Sequence, residues 1–551
     1  MSRVARGVAK VCAPFLLSAA AIVAPGWRAS AGQIVMRESG RAAPRAPVWD
    51  DRERLTELAG RRARVAEFVG AKSLLVLLGG EPRVYAGDVD YKFRQENNLF
   101  YLTHLNQPGV TLVLLPGHTK HREVLFIPRR NPAAEAWTGK GLSAEDARAL
   151  SGVGEIWEAG EFEPFMRAVR QGRAFKPRAE SILLSANATV VAGGAVATTA
   201  ATTNAQTATP VVQSQQTGYE TLLAAIAQDE ASIFLLLPSE AASREFRREQ
   251  ELAGRWAQTD TGLTVRSAWP VFTRLRQVKS PAEIKLIQHA VEITGEAIVG
   301  AAVVAGRAPR EYEVEAEIEY AFRRLGAEGW GYPSIVGCGA NATTLHYTAA
   351  GGACAPGDLM LLDVGAEFGH YSADVTRTLP VSGRFTPAQA ELYNAVFAAQ
   401  EAGLRAAKPG ATLSDVHHAA ADSMRDSLLK LGLITERNST QYGIWFSHGT
   451  SHWLGLNVHD VGQQGRKLEP GMVFTVEPGI YVRADALEQL AKKPEMSKFV
   501  EAVRPAFEKY KNIGIRIEDD VVITADGHRN LSASIPRTLA DVESLMGRVT
   551  R

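Results

Sequence analysis

The clearest order in this chain is a set of short aliphatic runs separated by longer polar stretches. Five runs fall in the first half: Leu74–Leu78, Thr111–Leu115, Glu123–Ile127, Ser181–Leu184 and Ile233–Leu237. Runs of this length, spaced by helical and turn-rich segments, predict buried strands of an α/β sheet. Further on the pattern changes. Ser280-Pro281-Ala282-Glu283 is a capping box with proline at the first helical position, and it opens a long amphipathic helix. Strands are expected within residues 359–379, 473–482 and 515–524, and helices over 387–408 and 413–431. The chain divides on this pattern into a domain over 51–268 and a second, α+β domain over 269–546.

The strands of the second domain are interrupted by carboxylates. Four apolar residues lead into Asp363, and Asp374 follows eleven positions later. A hairpin turning at Phe368-Gly369 sets these two aspartates directly opposite each other, about 4.5–5.5 Å apart at Cβ. Like charges so placed repel, so either the pair is solvated or a cation lies between them. Glu477 ends the run Val473–Val476, and Glu518 follows Ile513–Ile517. A solvated strand face or a structural salt bridge, such as one between Arg516 and Glu518, is the plain alternative for each. The segment HGTSHWLGLNVHD, residues 448–460, holds His448, His452 and His459, three of the twelve histidines in the chain. Its glycines and its alternation over 453–459 predict a loop followed by a strand, with His452 and His459 on opposite faces.

Composition narrows the function classes. Among 551 residues, 46% are hydrophobic and 22% charged, and 61 basic against 60 acidic residues leave a net charge of +1. A nucleic-acid footprint is therefore not expected. Arg3, Arg6 and Lys10 precede an apolar stretch over 11–25 that is short for a bilayer span, and Ala29-Ser30-Ala31 supplies a small-x-small site. Residues 1–31 read as a signal peptide cleaved after Ala31, 32–50 as a linker, and the protein as exported, periplasmic or secreted, without a stable membrane anchor. No other stretch looks apolar and long enough to cross a membrane. The uncharged stretch over 186–217 reads as a low-complexity surface insertion, with an extra hairpin as its alternative. Cys338 and Cys354 read as partly buried free thiols, although sequence alone does not decide whether they pair.

The ordered set Asp363, Asp374, His452, Glu477 and Glu518 resembles the ligand pattern of the pita-bread metallopeptidases. HGTSHWLGLNVHDVG, TVEPGIY, IRIEDDVVIT, LRQVKSPAEI and IVGCGANATTLHY are similar to the Xaa-Pro aminopeptidase (aminopeptidase P) branch. DYKFRQENNLFYLTHLNQPGVTLVLLPG resembles the N-terminal domain of that family. The resemblance implies an α/β N-terminal domain of the creatinase/aminopeptidase P type followed by an α+β pita-bread catalytic domain. It implies two divalent ions on those five residues, with a hard donor set favouring Mn²⁺ and admitting Zn²⁺ or Co²⁺. A hydroxide shared by the ions would attack the bond before a penultimate proline. His346 and His459 would line the cleft and stabilise the tetrahedral intermediate or pass protons, His448 would help shape the pocket for the proline ring, and Glu477 would take a proton from the attacking water. Tyr481, Arg516 and Trp137 would contact or orient substrate. Peptides with proline at position 2 are the expected partners, and a dimer or tetramer the expected assembly. A prolidase acting on Xaa-Pro dipeptides and a non-catalytic protein of the same fold are the alternatives. The chain departs from the pattern in the 186–217 insertion, a longer 484–511 segment, Asn457 in place of a frequent Asp, and the stretch HYTAAGG after Leu345.

Overall fold

The structure is a computed structural model that describes residues 43–185, 216–238, 246–257, 262–307 and 310–549. The expected signal peptide lies outside the described residues, as does all but the last two residues of the expected insertion. Of the expected linker, residues 43–50 form neither helix nor strand, and Trp49 packs edge-on against His104 with ring centroids 5.4 Å apart.

The aliphatic runs become strands of one mixed sheet. Its members are β1 (Ser73–Leu78), β4 (Thr111–Leu114), β5 (Glu123–Ile127), β6 (Ile156–Glu158), β7 (Ile182–Leu184), β8 (Ala231–Leu235) and β9 (Leu263–Ser267). A small hairpin, β2 (Val84–Ala86) with β3 (Val89–Asp90), stands apart. The sheet order is β7-β6-β5-β4-β1-β8-β9, with β1 antiparallel to β4 and parallel to β8. The runs of the inner strands are continuous because both faces are covered, whereas β7, expected to be buried, is a partly exposed edge strand with Ile182 at the surface. Leu74, Val76, Val113, Val124, Phe126 and Ile233 pack on one side with Phe165 and Trp256. Leu75, Leu77, Leu112, Leu114 and Leu125 face the other way, into a core that continues through Ile287 and Val291 to Met546. Each such buried leucine contributes roughly 1.5–3 kcal/mol relative to exposure. One apolar core therefore joins the first sheet to the second half of the chain.

That second half begins on the Pro281–Ala305 helix, capped as the sequence predicts: Glu283 N donates to Ser280 Oγ, and Ser280 N donates to Glu283 Oε2 at 2.8 Å. By length and apolarity this helix would pass for a membrane span, contrary to the sequence expectation. It is a core helix, with Ile287, Ala290, Val291 and Ile298 buried. Glu283 also accepts from Tyr371 OH at 2.6 Å and pairs with Arg61 of the first domain at 3.1 Å.

The strands here are β10 (Gly329–Trp330), β11 (Ile335–Cys338), β12 (Leu359–Val364), β13 (Ala366–Phe368), β14 (Tyr371–Ser372), β15 (Val375–Pro380), β16 (Val473–Val476), β17 (Gly479–Tyr481), β18 (Gly514–Arg516), β19 (Asp519–Ile523) and β20 (His528–Asn530). They form small antiparallel sheets, β10-β13-β14, β11-β12-β15, β16-β19-β20 and β17-β18. The Pro387–Ala406 and Leu413–Lys430 helices cover β16 and β19, through Leu404 and Val416 against Val476 and Val521.

Three expectations are corrected. The hairpin turns at Gly369-His370, both at positive φ (58° and 67°), so Phe368 pairs with Tyr371 and Asp363 with Thr376. Both aspartates keep to one face because the register differs by two, but they are diagonal, not opposed. Residues 453–459 are not a strand: beyond an isolated bridge from Trp453 to Phe474, the backbone bends away. Cys338 and Cys354 are joined as a disulfide with Cα atoms 5.6 Å apart, closing the loop that carries His346.

Candidate active site

The interrupted strands converge. Asp363 is the last residue but one of β12, Asp374 leads into β15, Glu477 follows β16 and Glu518 joins β18 to β19. His452 lies on an extended segment beside β16: Thr475 N donates to His452 O at 3.0 Å, and Glu477 N to Thr450 O at 2.9 Å. The His452 Nδ1 edge faces Trp453 O at 3.2 Å, which turns Nε2 toward the carboxylates. Nε2 is 3.2 Å from Asp374 Oδ2 and 3.4 Å from Glu477 Oε1. One donor atom each from Asp374, His452 and Glu518 lies within 4.8 Å of the others.

Four carboxylates share this buried pocket with one guanidinium. Arg516 Nη2 donates to Asp363 Oδ2, Nη1 to Tyr481 OH at 2.8 Å, and Nε to Thr376 Oγ1 at 3.1 Å. Thr376 Oγ1 in turn donates to Glu518 Oε2 at 2.6 Å. The Tyr332 hydroxyl sits 2.6 Å from Asp363 Oδ1 and 2.5 Å from Asp374 Oδ1. One O–H satisfies only one of those oxygens, so the second contact leaves an acceptor facing an acceptor.

Electrostatics follow from this surplus. Burial, then the charges of Asp374, Glu477 and Asp363, push Glu518 well above the usual carboxylate range. Burial lifts Glu477 to about 7, with His452 and Arg516 opposing. Burial also raises Asp363, against the pull of Arg516. Burial acts on Asp374 the same way, but the hydrogen bond and charge of His452 hold that carboxyl below its ordinary value. For His452 burial works downward, yet Asp374 and Glu477 raise it to about 9. A divalent cation among these donors would relieve the repulsion, and the donor set of oxygens and one imidazole nitrogen fits such an ion.

A second chain of hydrogen bonds runs off the pocket. Arg516 donates to Tyr481 OH, whose hydroxyl lies 2.8 Å from His448 Nε2, while His448 Nδ1 lies 2.8 Å from Gly449 O. The carbonyl requires the proton on Nδ1, so Nε2 accepts from the tyrosine. Burial and Arg516 depress His448 to about 3, which keeps it neutral. Gly479 is needed beside this chain, since a Cβ there would meet Tyr481 OH at 2.3 Å.

His459 returns to the pocket by the bend after Trp453, its ring edge-on to His452 with centroids 4.2 Å apart. His346 is exposed, near enough to His448 and His459 to disfavour a second positive charge on either. The first domain grips the loop that carries His459. Arg94 Nη2 donates to Leu456 O at 2.7 Å and Asn97 Nδ2 to Asn457 Oδ1 at 2.6 Å. From the start of the second domain, Arg276 and Lys279 both pair with Asp460.

The structure thus brings together Asp363, Asp374, His452, Glu477, Glu518, His448, His459, Tyr481 and Arg516. Trp137 is not among them; it is 91% exposed on the Pro132–Thr138 helix. Sequence reading missed Tyr332, Thr376 and Asp520, whose Oδ2 accepts from Asp374 N at 3.0 Å. Thr376 was readable, two strand positions from Asp374 and hence on its face. Tyr332 carried no local signal, because long-range strand pairing brings it to the aspartates.

Comparison with known proteins agrees with this geometry. The sequence pattern of metallopeptidase family M24 matches residues 285–525, and that of the aminopeptidase P N-terminal domain matches residues 58–175. The Xaa-Pro aminopeptidase of Escherichia coli is 32% identical over 501 residues, covering 89% of this chain and 97% of that protein. Xaa-Pro aminopeptidase 3 of Homo sapiens is 30% identical over 491 residues, covering 87% of this chain and 82% of that protein. Among solved structures, a low-pH form of aminopeptidase P from E. coli has a TM-score of 0.71 at 30% identity, covering 92% of this chain and all (100%) of that one. A zinc-substituted form of aminopeptidase P from E. coli with product has a TM-score of 0.68 at 30% identity, covering 90% and 99%. Fold and site together define a two-domain metallo-exopeptidase, an enzyme that works with divalent metal ions. The chain belongs to metallopeptidase family M24, among the Xaa-Pro aminopeptidases.

Proposed function

We propose that this enzyme removes one N-terminal residue from peptides with proline second, by hydrolysing the bond before the proline. The observation that carries this reading is the buried crowding of Asp363, Asp374, Glu477 and Glu518 around His452, with Arg516 as the guanidinium among them. Asp363, Asp374, His452, Glu477 and Glu518 would hold two ions, and the oxygen-rich set favours Mn²⁺, with Zn²⁺ or Co²⁺ as substitutes. When bound, such ions polarise a scissile carbonyl and acidify a water.

The remaining chemistry belongs to side chains. Glu477, whose Oε1 lies 3.4 Å from His452 Nε2, would accept a proton from the attacking water and return it to the leaving nitrogen. That nitrogen needs it because an amide nitrogen leaves only as a protonated amine, here the ring nitrogen of proline. His346 and His459, on the open side, would hold the developing oxyanion and pass protons. Neutral His448, held by Tyr481 and Arg516, would shape the wall against the proline ring. Trp137 would stand at the approach to the cleft.

Mn²⁺-supplemented turnover of Xaa-Pro peptides of graded length tests the proposal, with Asp374→Ala as control. Arg-Pro-Pro-type tripeptides should be cleaved in preference to Gly-Pro dipeptides; the reverse order would make the enzyme a prolidase. Equal turnover by the control would leave only a non-catalytic reading of the pocket.

We also propose export, with cleavage after Ala31. The charged and apolar start supports it, as does the Cys338–Cys354 pair, which suits an oxidising compartment. Amino-terminal sequencing of the mature protein should begin at Gly32; a chain that retains its first thirty residues after export would count against it.

A further inference from the structure

The hairpin that carries Asp363 and Asp374 has a second set of donors at its other end. His370 is the second residue of the two-residue turn, and its side chain is 3% exposed. Its ring lies flat against Phe100 of the first domain, centroids 3.7 Å apart and planes 3° apart. Among the described residues, neither ring nitrogen has a hydrogen-bond partner. An imidazole so buried would normally satisfy at least one nitrogen, since a buried polar atom left unpaired loses its bond to water without replacement.

Two carboxylates face it. Glu367 is on β13, buried, and Glu328 stands just before β10, half-buried. One donor atom from each of Glu328, Glu367 and His370 lies within 4.8 Å of the other two. The nearest approach is His370 Nδ1 to Glu328 Oε2 at 3.4 Å, outside good hydrogen-bond geometry. Glu328 Oε2 also accepts from His370 N at 3.2 Å. Arg94 Nε donates to Glu367 Oε2 at 2.7 Å, and Arg94 Nη2 to His370 O at 3.2 Å. The two carboxylates face Arg94 and also Lys92, whose Nζ donates to Glu328 O at 2.8 Å.

We propose that Glu328, Glu367 and His370 form a further divalent-cation site, separate from the catalytic pocket. One imidazole and two carboxylates suit Zn²⁺ or a similar borderline ion. An ion there would fasten the turn of the metal-bearing hairpin to the segment before β10. Through Phe100 and Arg94 it would also fasten both to the first domain. The rival arrangement uses no ion: a protonated His370 sits between the two glutamates.

The test is bound zinc per chain, measured on the full-length protein after chelation and dialysis against buffered Zn²⁺. Wild type should hold one equivalent more than either Glu328→Gln or His370→Asn; asparagine suits the second because it tolerates positive φ. Peptide turnover in these variants should stay within about twofold of wild type, as for substitutions away from an active site. The same one-equivalent difference should separate Asp374→Asn from Asp374→Asn with His370→Asn, so the result does not depend on how many ions the catalytic pocket holds. Equal zinc content in wild type, Glu328→Gln and His370→Asn would overturn the proposal in favour of the protonated histidine.

Discussion

Glu518, Asp519 and Asp520 are consecutive and all buried, yet their surroundings are opposite. Asp519 Oδ1 accepts from Arg377 Nη2 at 2.7 Å and from Ser532 Oγ at 2.8 Å; its Oδ2 accepts from Asn530 Nδ2 at 2.8 Å and Gln400 Nε2 at 3.2 Å. Burial would raise this carboxyl, but Arg377 and Arg537 outweigh it and hold it below the usual range. Asp460 is treated the same way by Arg276 and Lys279. Its neighbours on the pocket side have no such balance. Burial and Asp374 drive both Glu518 and Asp520 well above the ordinary range. A buried carboxylate is thus no sign of chemistry in itself. The sign is a carboxylate whose counter-charge the protein does not supply.

The sharpest way to break this contrast is to remove one carboxylate on each side. Asp374→Ala should cost more activity than the roughly 100- to 1000-fold lost with a single preorganised contact. It should leave the metal-free chain folded, because the ion pair it takes from His452 is offset by the repulsion it lifts from Glu518 and Asp520. Asp519→Asn should do the reverse and destabilise the chain by about 3–5 kcal/mol, because Arg377 is left buried without its partner. Asp520→Asn belongs with the pocket: its acid is already driven toward the neutral form, so the metal-free chain should change by less than about 1 kcal/mol. Denaturant unfolding with chelator present measures all three. A stability loss for Asp520→Asn as large as that for Asp519→Asn would erase the distinction.

The same contrast explains what was legible in the sequence. Leu74–Leu78 and its companions read plainly as strands because both faces of that sheet are buried, and the pocket carboxylates stood out because they interrupt such runs. Register was less legible. A turn at Gly369-His370 instead of Phe368-Gly369 depends on His370 adopting a left-handed backbone, uncommon for a non-glycine residue. The alternation over 453–459 imitated a strand because Trp453, Leu454 and Leu456 are each buried, but by loop packing without a ladder. At Gly455 a Cβ would lie 2.2 Å from Asp460 Oδ2, which shows how tightly that loop folds back. Tyr332, the Cys338–Cys354 pair and the Glu328–Glu367–His370 group arise from contacts distant in sequence. No local pattern announces them.

The smallest effect is the most diagnostic of the missing counter-charge. In the metal-free chain Glu477 keeps its proton to about 7, against 4.5 for an ordinary glutamate, and Glu518 is shifted the same way. His452 keeps its proton to about 9, against 6.5. Between about pH 4.5 and 9 the folded chain therefore binds more protons at these groups than the unfolded chain, and their contribution to stability falls as pH rises. Asp374, shifted down, acts oppositely but only below its ordinary value of 3.8. Metal binding needs these ligands deprotonated, so the loaded protein escapes that loss and gains affinity as protons leave. The gap in Tm between metal-loaded and chelator-treated protein should widen steadily from about pH 5 through 7 to 9, as read by scanning calorimetry. Asp519 and Asp460, already balanced by arginine and lysine, contribute nothing to that slope. A gap that stays level or narrows would mean that the pocket carboxylates have a partner within the chain after all.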